Sequence, residues 1–400
     1  MLVWNEFLND ARVLKEAQTL QSEGHQVCVH ALHTPGVTQQ KERREEGISV
    51  TRVARSPFWG LRKKRRKESE KSQPVEPKPI TLSHQLMRLV ARSWTHSALC
   101  HALIKSKPDV IHAHDVNVLP TAWLASILCR VPLVYDAHEI STSREGYKSF
   151  RKLVAWIKIR MLPKAVAVIT TTDMRAKYLA RAYGVKESVV LQNRPRLTTA
   201  EKSSDCIREH LSLPERDWPI VLYQGGLQSG RGLEKLIDAA RLVENVYFVL
   251  IGGGRLTYEL NCQISSLNLE SRVHIIPTVP LSQLPRYTAS ADLGIQPIDN
   301  TCFNHFSTDS NKLFEYALAG LPVLASNFPE IRKIVQKYSI GDLIQSNTPE
   351  GLAAQVKQLV FDHERLERYR RNALLARDNL CWEEQEHKLT AIYQSILVPQ

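Results

Sequence analysis

Short, wholly apolar runs alternate with longer amphipathic stretches along almost the entire chain, and that alternation leaves few folds open to it. The apolar runs QVCVHAL, DVIHAH, PLVYDAH, AVAVITT, SVVLQN, PIVLYQGG, YFVLIGG, RVHIIP, DLGIQPI and LPVLAS read as strands. Several lack polar alternation, as strands buried on both faces of a parallel sheet do. Between them lie helix-period stretches such as 10–23, 81–105, 230–244 and 351–379. Strands that alternate with helices in this way predict a doubly wound α/β protein. The repeat comes in two blocks, parted by the polar, less periodic segment RPRLTTAEKSSDCIREHLSLPERDWP. The expected organisation is a first Rossmann-like domain over 1–195, a linker over 196–217, a second Rossmann-like domain over 218–380 and a last helix within 381–400. A chain of 400 residues is long enough for two such cores.

Chemistry concentrates in TCFNHFSTDSNKLFEYALAGLPVLASN, residues 301–327. A helix opening near Asn311 points free backbone N–H groups and its positive dipole end at an anion. Lys312 adds a cation, and Glu315, three positions on, shares its helical face and offers a carboxylate. The set suits a sugar nucleotide, with the positive end meeting the diphosphate and the carboxylate accepting from ribose hydroxyls; a plain solvated helix face is the competing account. Upstream, the run Tyr223-Gln224-Gly225-Gly226-Leu227-Gln228-Ser229-Gly230-Arg231-Gly232 carries a strand into a helix. Its glycines let backbone N–H groups approach an anion, although the spacing matches neither G-x-G-x-x-G nor a Walker motif. Gly225, Gly226 and Arg231 are therefore donor-side candidates, with Thr278, just past the RVHIIP run, counted beside them. In the first block PLVYDAHE ends a strand at His138, whose neutral imidazole can accept from or donate to a sugar hydroxyl. Glu139 either orients His138 or lines an acceptor site. His112 and His114 share a strand face, which invites a metal, but no further ligand stands at a diagnostic spacing.

A net charge of +12 implies anionic partners without choosing among them. The run Arg62-Lys63-Lys64-Arg65-Arg66-Lys67, behind Phe58-Trp59 and ahead of SQPVEPKPI, reads as a loop over 57–79. Residues 58–67 offer contact with an anionic membrane surface at about 1 kcal/mol per basic residue. No zinc finger, RRM signature or aromatic-basic ladder accompanies the run, so nucleic acid is not expected as a partner. No apolar run approaches the roughly 20 residues of a membrane span. The seven cysteines are odd in number and lack a C-x-x-C, which suggests free thiols in a reducing compartment. A cytoplasmic protein, peripheral at most on the inner membrane face, is the expectation.

The order Asn-Lys-Leu-Phe-Glu-Tyr at 311–316, followed by Ala319-Gly320-Leu321-Pro322-Val323 and Pro329-Glu330, resembles the donor-site signature of family 4 retaining glycosyltransferases. The resemblance covers nearly the whole chain and implies the GT-B fold, two Rossmann-like domains facing across a cleft, with the last helix, within 381–400, crossing back to the first domain. Many relatives carry two glutamates seven residues apart; Glu315 matches the second, while Ser307 stands at the first. Ser310 replaces a proline found in the branch that also lacks the first glutamate. Where the family commonly has an arginine and then Lys-Gly, this chain has Gly226 and Arg231-Gly232. The resemblance thus implies that Arg231 and Lys312 carry the diphosphate together. It also matches residues 134–139 to the family's "Val-x-x-x-His-Asp/Glu", which puts His138 near the reacting centre, and residues 112–115 to "His-x-His-Asp" beside the acceptor, which implicates His114. Only Met1-Leu2-Val3 precede Trp4-Asn5-Glu6-Phe7, so the first strand is expected to be short or to lack its opening residues. Asn5 and Arg12 fall on the acceptor side. Arg12 either faces the diphosphate or serves packing on its own helix.

The implied activity is transfer of a sugar, with retention, from a nucleotide-diphosphate sugar to a glycan or lipid-linked acceptor in polysaccharide or glycoconjugate synthesis. His138, Arg231, Lys312 and Glu315 are the expected catalytic set. No Asp-x-Asp is present, so no metal is expected, and the sugar nucleotide is a substrate, leaving no separate cofactor. A catalytically silent GT-B binding protein is favoured by Ser307 and Gly226. A GT-B sugar-nucleotide epimerase would need carboxylates that the motifs do not supply.

Overall fold

The computed structural model describes residues 1–8, 10–44, 47–56, 82–143, 149–186, 188–197, 205–215 and 217–397. The basic run 62–67 and the rest of the loop expected over 57–79 lie outside the described residues. The chain divides into two compact units. The first comprises Met1–Thr171, Arg175–Leu191 and Glu386–Gln400; the second comprises Thr172–Met174 and Gln192–Gln385. The change of unit falls at Leu191/Gln192, ahead of the linker expected over 196–217. Gln192 already belongs to the second unit, where its Nε2 donates to Asp309 Oδ2 at 3.0 Å. Inside the expected linker, Cys206–Leu211 is a helix that buries Ile207 in the same unit's core. The second unit also runs on to Gln385, so the final helix Glu383–Leu397 is shared between units.

In the first unit β1 (Cys28–His33), β2 (Lys41–Arg43) and β3 (Ser49–Ala54) form a sheet in the order β1-β3-β2. Its other strands, β4 (Ile111–His114), β5 (Leu133–Ala137), β6 (Ala167–Thr170) and β7 (Val189–Val190), run parallel in sequence order. Residues 1–3 join the two groups. Leu2 makes parallel bridges to His30 of β1 and Ala113 of β4, and its N–H donates to His112 O at 2.8 Å. Residues 1–3 thus lie between β1 and β4 in one continuous sheet. Helix Ala11–Ser22 follows, capped by Asp10, whose carboxylate accepts from Val13 N. Glu386–Gln400 returns to this unit, burying Leu389 and Ile392 and bringing the Tyr393 hydroxyl to His112 Nδ1 at 3.0 Å.

The second unit is one six-stranded parallel sheet of β8 (Ile220–Gln224), β9 (Tyr247–Ile251), β10 (Val273–Ile276), β11 (Leu293–Gln296), β12 (Val323–Ser326) and β13 (Gly341–Ile344). Their order is β10-β9-β8-β11-β12-β13. Alternate residues of β8 feed opposite layers. Val221 and Tyr223 pack with Leu236, Ile237 and Ala240 of helix Leu233–Arg241, and Ile220 and Leu222 pack with Leu313, Phe314 and Ala317 of helix Asn311–Leu318. Burial on both faces is why these strands lack polar alternation in the sequence. Among the described residues no helix is long and apolar enough to cross a membrane.

Candidate functional site

The strand order of the second unit reverses between β8 and β11, and sheets of this kind take ligands in the crevice at the carboxyl ends of those strands. Gly225 follows β8 directly at φ +124°, and a Cβ there would lie 2.6 Å from Lys312 Cε and 2.9 Å from its Nζ. The glycine is what lets the lysine lie against the strand end. Gly232 sits at φ +69°, and its Cβ would meet the Pro297 carbonyl oxygen, just past β11, at 2.0 Å. Backbone from β8 therefore passes directly over the exit of β11. Gly226 is different, since nothing lies nearer than 3.7 Å to its added Cβ. A second glycine turn, 252–254, braces the first: Gly225 N donates to Ile251 O at 2.8 Å and Leu227 N to Gly253 O at 3.1 Å. Thr278 is exposed beside it, its Oγ1 3.4 Å from the Cβ position of Gly253.

Helix Asn311–Leu318 begins with exposed Asn311, after Ser310 at φ +50°. It buries Leu313, Phe314, Tyr316, Ala317 and Leu318, which leaves Lys312 and Glu315 half-buried on its remaining face. Three residues that the sequence did not single out as site candidates, two of them within the quoted motifs, hold that face in place. The Tyr316 hydroxyl donates to Leu222 O at 3.2 Å and accepts from Gln224 N at 3.2 Å, which ties the helix to β8. Gln224 Nε2 donates to Glu315 Oε2 at 2.6 Å, while Gln224 Oε1 accepts from the Thr288 hydroxyl at 2.8 Å. The one sequence signal for them was a polar glutamine at the end of the apolar run PIVLYQGG. Burial and then the nearby Arg231 guanidinium push the Lys312 ammonium down to about 8, with Glu315 pulling the other way. A buried ammonium beside another cation is a site short of negative charge. Ser307 is fully buried and donates to Phe303 O at 2.7 Å, closing the short helix Phe303–Phe306.

The first unit gathers a second polar set at the carboxyl ends of β4 and β5. Arg12 is buried on helix Ala11–Ser22 and grips Asp136 with two bonds, Nε to Oδ2 at 2.7 Å and NH2 to Oδ1 at 2.9 Å. Its NH1 donates to Leu191 O at 2.9 Å, and Glu16 Oε1 lies 3.1 Å from Nε. Of the two roles open to Arg12, the structure gives it the packing and pairing one. His138 Nε2 lies 3.1 Å from Asp136 Oδ2, and Nδ1 lies 3.9 Å from Asp115 Oδ2. Although burial opposes its charge, Asp136 and then Asp115 push the imidazole up to about 9. Two carboxylates thus face the ring expected to be neutral, and both favour its charged form. His114 Nδ1 is 3.3 Å from His138 Nε2, and burial keeps His114 itself below the usual histidine range. Asn5 Nδ2 donates to Asp10 Oδ2 at 2.8 Å and its Oδ1 accepts from Phe7 N at 2.8 Å, so Asn5 shapes the turn that leads into the helix. Glu139 is half-buried next to His138.

Glu16, His112, His114 and Asp136 each bring one ligand atom within 4.8 Å of the others, all buried. Such a donor set is of the kind that holds zinc. Here, however, the Arg12 guanidinium already bridges both carboxylates. The cluster carries its own cation and is an ion-pair network.

Comparison with known proteins bears on the family and the fold. The family described as Glycosyl transferases group 1 matches residues 203–375, and Glycosyl transferase 4-like domain matches residues 10–194. The D-inositol 3-phosphate glycosyltransferase of Corynebacterium diphtheriae is 21% identical over 95% of this chain and 88% of its own length. The alpha-D-kanosaminyltransferase of Streptomyces kanamyceticus is 26% identical over 66% of this chain and 71% of its own. Among solved structures, HepE of Anabaena in complex with UDP and glucose superposes with a TM-score of 0.75 at 19% identity, covering 98% of both chains. WaaG, a glycosyltransferase involved in lipopolysaccharide biosynthesis, gives 0.68 at 15% identity, covering 100% of this chain and 99% of its own. The fold is the GT-B class of parallel-sheet α/β units, as the sequence motifs led one to expect.

Proposed function

The chain belongs to the glycosyl transferases group 1, and on that premise we propose that this glycosyltransferase takes its sugar from a nucleoside-diphosphate sugar and transfers it with retention to a glycan or lipid-linked acceptor. The observation that carries the donor half is the Gly225–Lys312 approach at the β8 end, with Glu315 held by Gln224 on the same helix face. Lys312 and Arg231 supply charge where a departing diphosphate needs it, and Glu315 accepts from ribose hydroxyls. In the transfer, the acceptor oxygen bonds to the anomeric carbon as the bond from that carbon to the diphosphate oxygen breaks. The acceptor proton passes to the leaving diphosphate. His138 donates to a sugar hydroxyl. Because fixed cations meet the diphosphate, the reaction is expected to need no divalent metal and to survive excess chelator.

Membrane-proximal action is supported by helix Arg151–Met161. Phe150, Leu153, Trp156 and Ile159 are all more than half exposed, interleaved with exposed Arg151, Lys152 and Arg160. Apolar groups set among cations suit an anionic lipid surface. The test of the whole reading is a nucleotide-release screen over uridine-, guanosine-, adenosine- and thymidine-diphosphate sugars, with anomeric assignment of the product. Release from none of them, or a product of inverted configuration, would sink the corresponding half.

A further inference from the structure

We propose that Asp136 is a positioning residue for His138: wedged between the Arg12 guanidinium and the imidazole, it fixes the ring and keeps both ring nitrogens as donors. His138 then meets the substrate as a charged hydrogen-bond donor and never as a base. The inference rests on the reading above that His138 borders the reacting sugar.

The geometry is a ladder of alternating charge within the first unit. From the interior outward it runs Glu16, Arg12, Asp136, His138 and Asp115, with contacts of 3.1, 2.7, 3.1 and 3.9 Å between successive members. Asp136 is fully buried, and a buried carboxylate stays ionised only when it is paired. Arg12 supplies the pair through two bonds and itself has no exposed edge to offer a ligand. His138 is left between two carboxylates, one facing each ring nitrogen. A neutral imidazole would turn a lone pair toward one of them in either tautomer, whereas in the doubly protonated ring Nε2–H is committed to Asp136 and Nδ1–H, at 3.9 Å too far from Asp115 for a hydrogen bond, is the donor left for a substrate hydroxyl.

Other neighbours reinforce this placement. His114 lies within 3.4 Å of the same Asp136 oxygen, stacks on His112 and is kept neutral by burial, so it adds no competing charge. Burial and then Asp136 push the Glu16 carboxyl well up, while Asp136 is held well down by Arg12 and His138 against the cost of its own burial, so Asp136 is the acid that Arg12 favours in its charged form. Arg175, from helix Asp173–Tyr183, donates to the His138 carbonyl at 2.8 Å and fixes its main chain. One neighbour opposes it: Lys158, from helix Arg151–Met161, is buried and interacts with Asp115, which leaves Asp136 as the stronger of the two carboxylates on the ring. Asp115 itself has φ +66°, a left-handed conformation that Asp tolerates, and its N–H donates to Asp136 O at 2.9 Å. Backbone and side chain thus hold the two carboxylates on opposite edges of one ring.

The test follows the ring nitrogens of His138 by nitrogen-15 NMR on the full chain, from about pH 6 to about pH 10. The expected wild-type result is two N–H groups at neutral pH and a midpoint near 9. Asp136→Asn should lower that midpoint by about two units or more, to or below the ordinary histidine value. Asp115→Asn should lower it less, because its contact is longer. A neutral ring in the wild type at neutral pH overturns the proposal, as does a midpoint that Asp136→Asn leaves unmoved. Should Asp136→Asn fail to fold, the wild-type titration decides by itself. With a donor identified, the alkaline limb of the kcat profile should move with the midpoint. A moved midpoint with an unmoved profile would overturn the placement of His138 at the sugar while leaving its grip by Asp136 intact.

Discussion

Single side chains carry the sharpest consequences. Lys312, pushed down to about 8, is half neutral near that pH, and a bound diphosphate should restore its charge. Binding of UDP at about pH 8 should therefore take up roughly half a proton, visible as a dependence of calorimetric enthalpy on the buffer's ionisation enthalpy. Lys312→Met should abolish the uptake, and no uptake in the wild type would place the diphosphate elsewhere. Glu315→Ala should weaken the same binding by about 1.5–3 kcal/mol, the worth of a charged hydrogen bond. His138 links charge to stability. Its folded value is raised, so the stabilisation is fully present below the unfolded value of 6.5 and is lost as pH rises through about 9. That shift corresponds to about 3 kcal/mol for a fully sequestered ring. The side chain is 22% exposed, and solvent screening trims the expected loss to about 1–2 kcal/mol. Urea denaturation across that window, wild type against His138→Gln, measures it; equal slopes in the two proteins would contradict the raised value.

At the scale of elements, the site depends on how helix Asn311–Leu318 seats against β8 and β11. Gly294 of β11 makes the seat, since a Cβ there would strike the Tyr316 ring at 2.6–2.9 Å. Gly294→Val should push the helix off β8, costing about 1–3 kcal/mol of stability and weakening UDP binding by about tenfold or more. Unchanged affinity in the folded variant would mean that the seat does not set the site. None of this was legible in the sequence, where Gly294 was one small residue in DLGIQPI and Tyr316 one aromatic in a motif. The strands, their parallel sense and the helix carrying Lys312 and Glu315 were legible, because each leaves a local pattern of period or spacing. Gln224, Thr288 and the Arg12–Asp136 pair were not, because their partners lie 64 to 124 positions away in the chain. The helix inside the expected linker was missed for a related reason: polar composition marks a surface segment, while the groups that anchor Cys206–Leu211, Ser290 on the Ile207 N–H and the Tyr287 hydroxyl on His210, lie 77 to 83 positions away.

For the molecule as a whole, the exposed apolar residues of helix Arg151–Met161 and the net charge of +12 argue together for attachment to anionic lipid. Leu153→Ser with Trp156→Ser should weaken binding to vesicles rich in phosphatidylglycerol by about a hundredfold or more, given about 1.5–3 kcal/mol for each large apolar side chain fully buried. Binding should also weaken as salt rises, and deletion of residues 57–79 should weaken it further. Vesicle binding indifferent to salt and to both changes would leave the enzyme without a membrane role. The return of Glu386–Gln400 to the first unit has a different consequence, one of biosynthesis. Domains ordinarily fold in the order in which a ribosome emits them. Here the first unit's core includes Leu389 and Ile392, and Tyr393 reaches His112, although all three follow the whole of the second unit in the chain. The first unit is therefore closed only after the second has been made, and a chain that stops between the two leaves it open to proteases however well the second has folded.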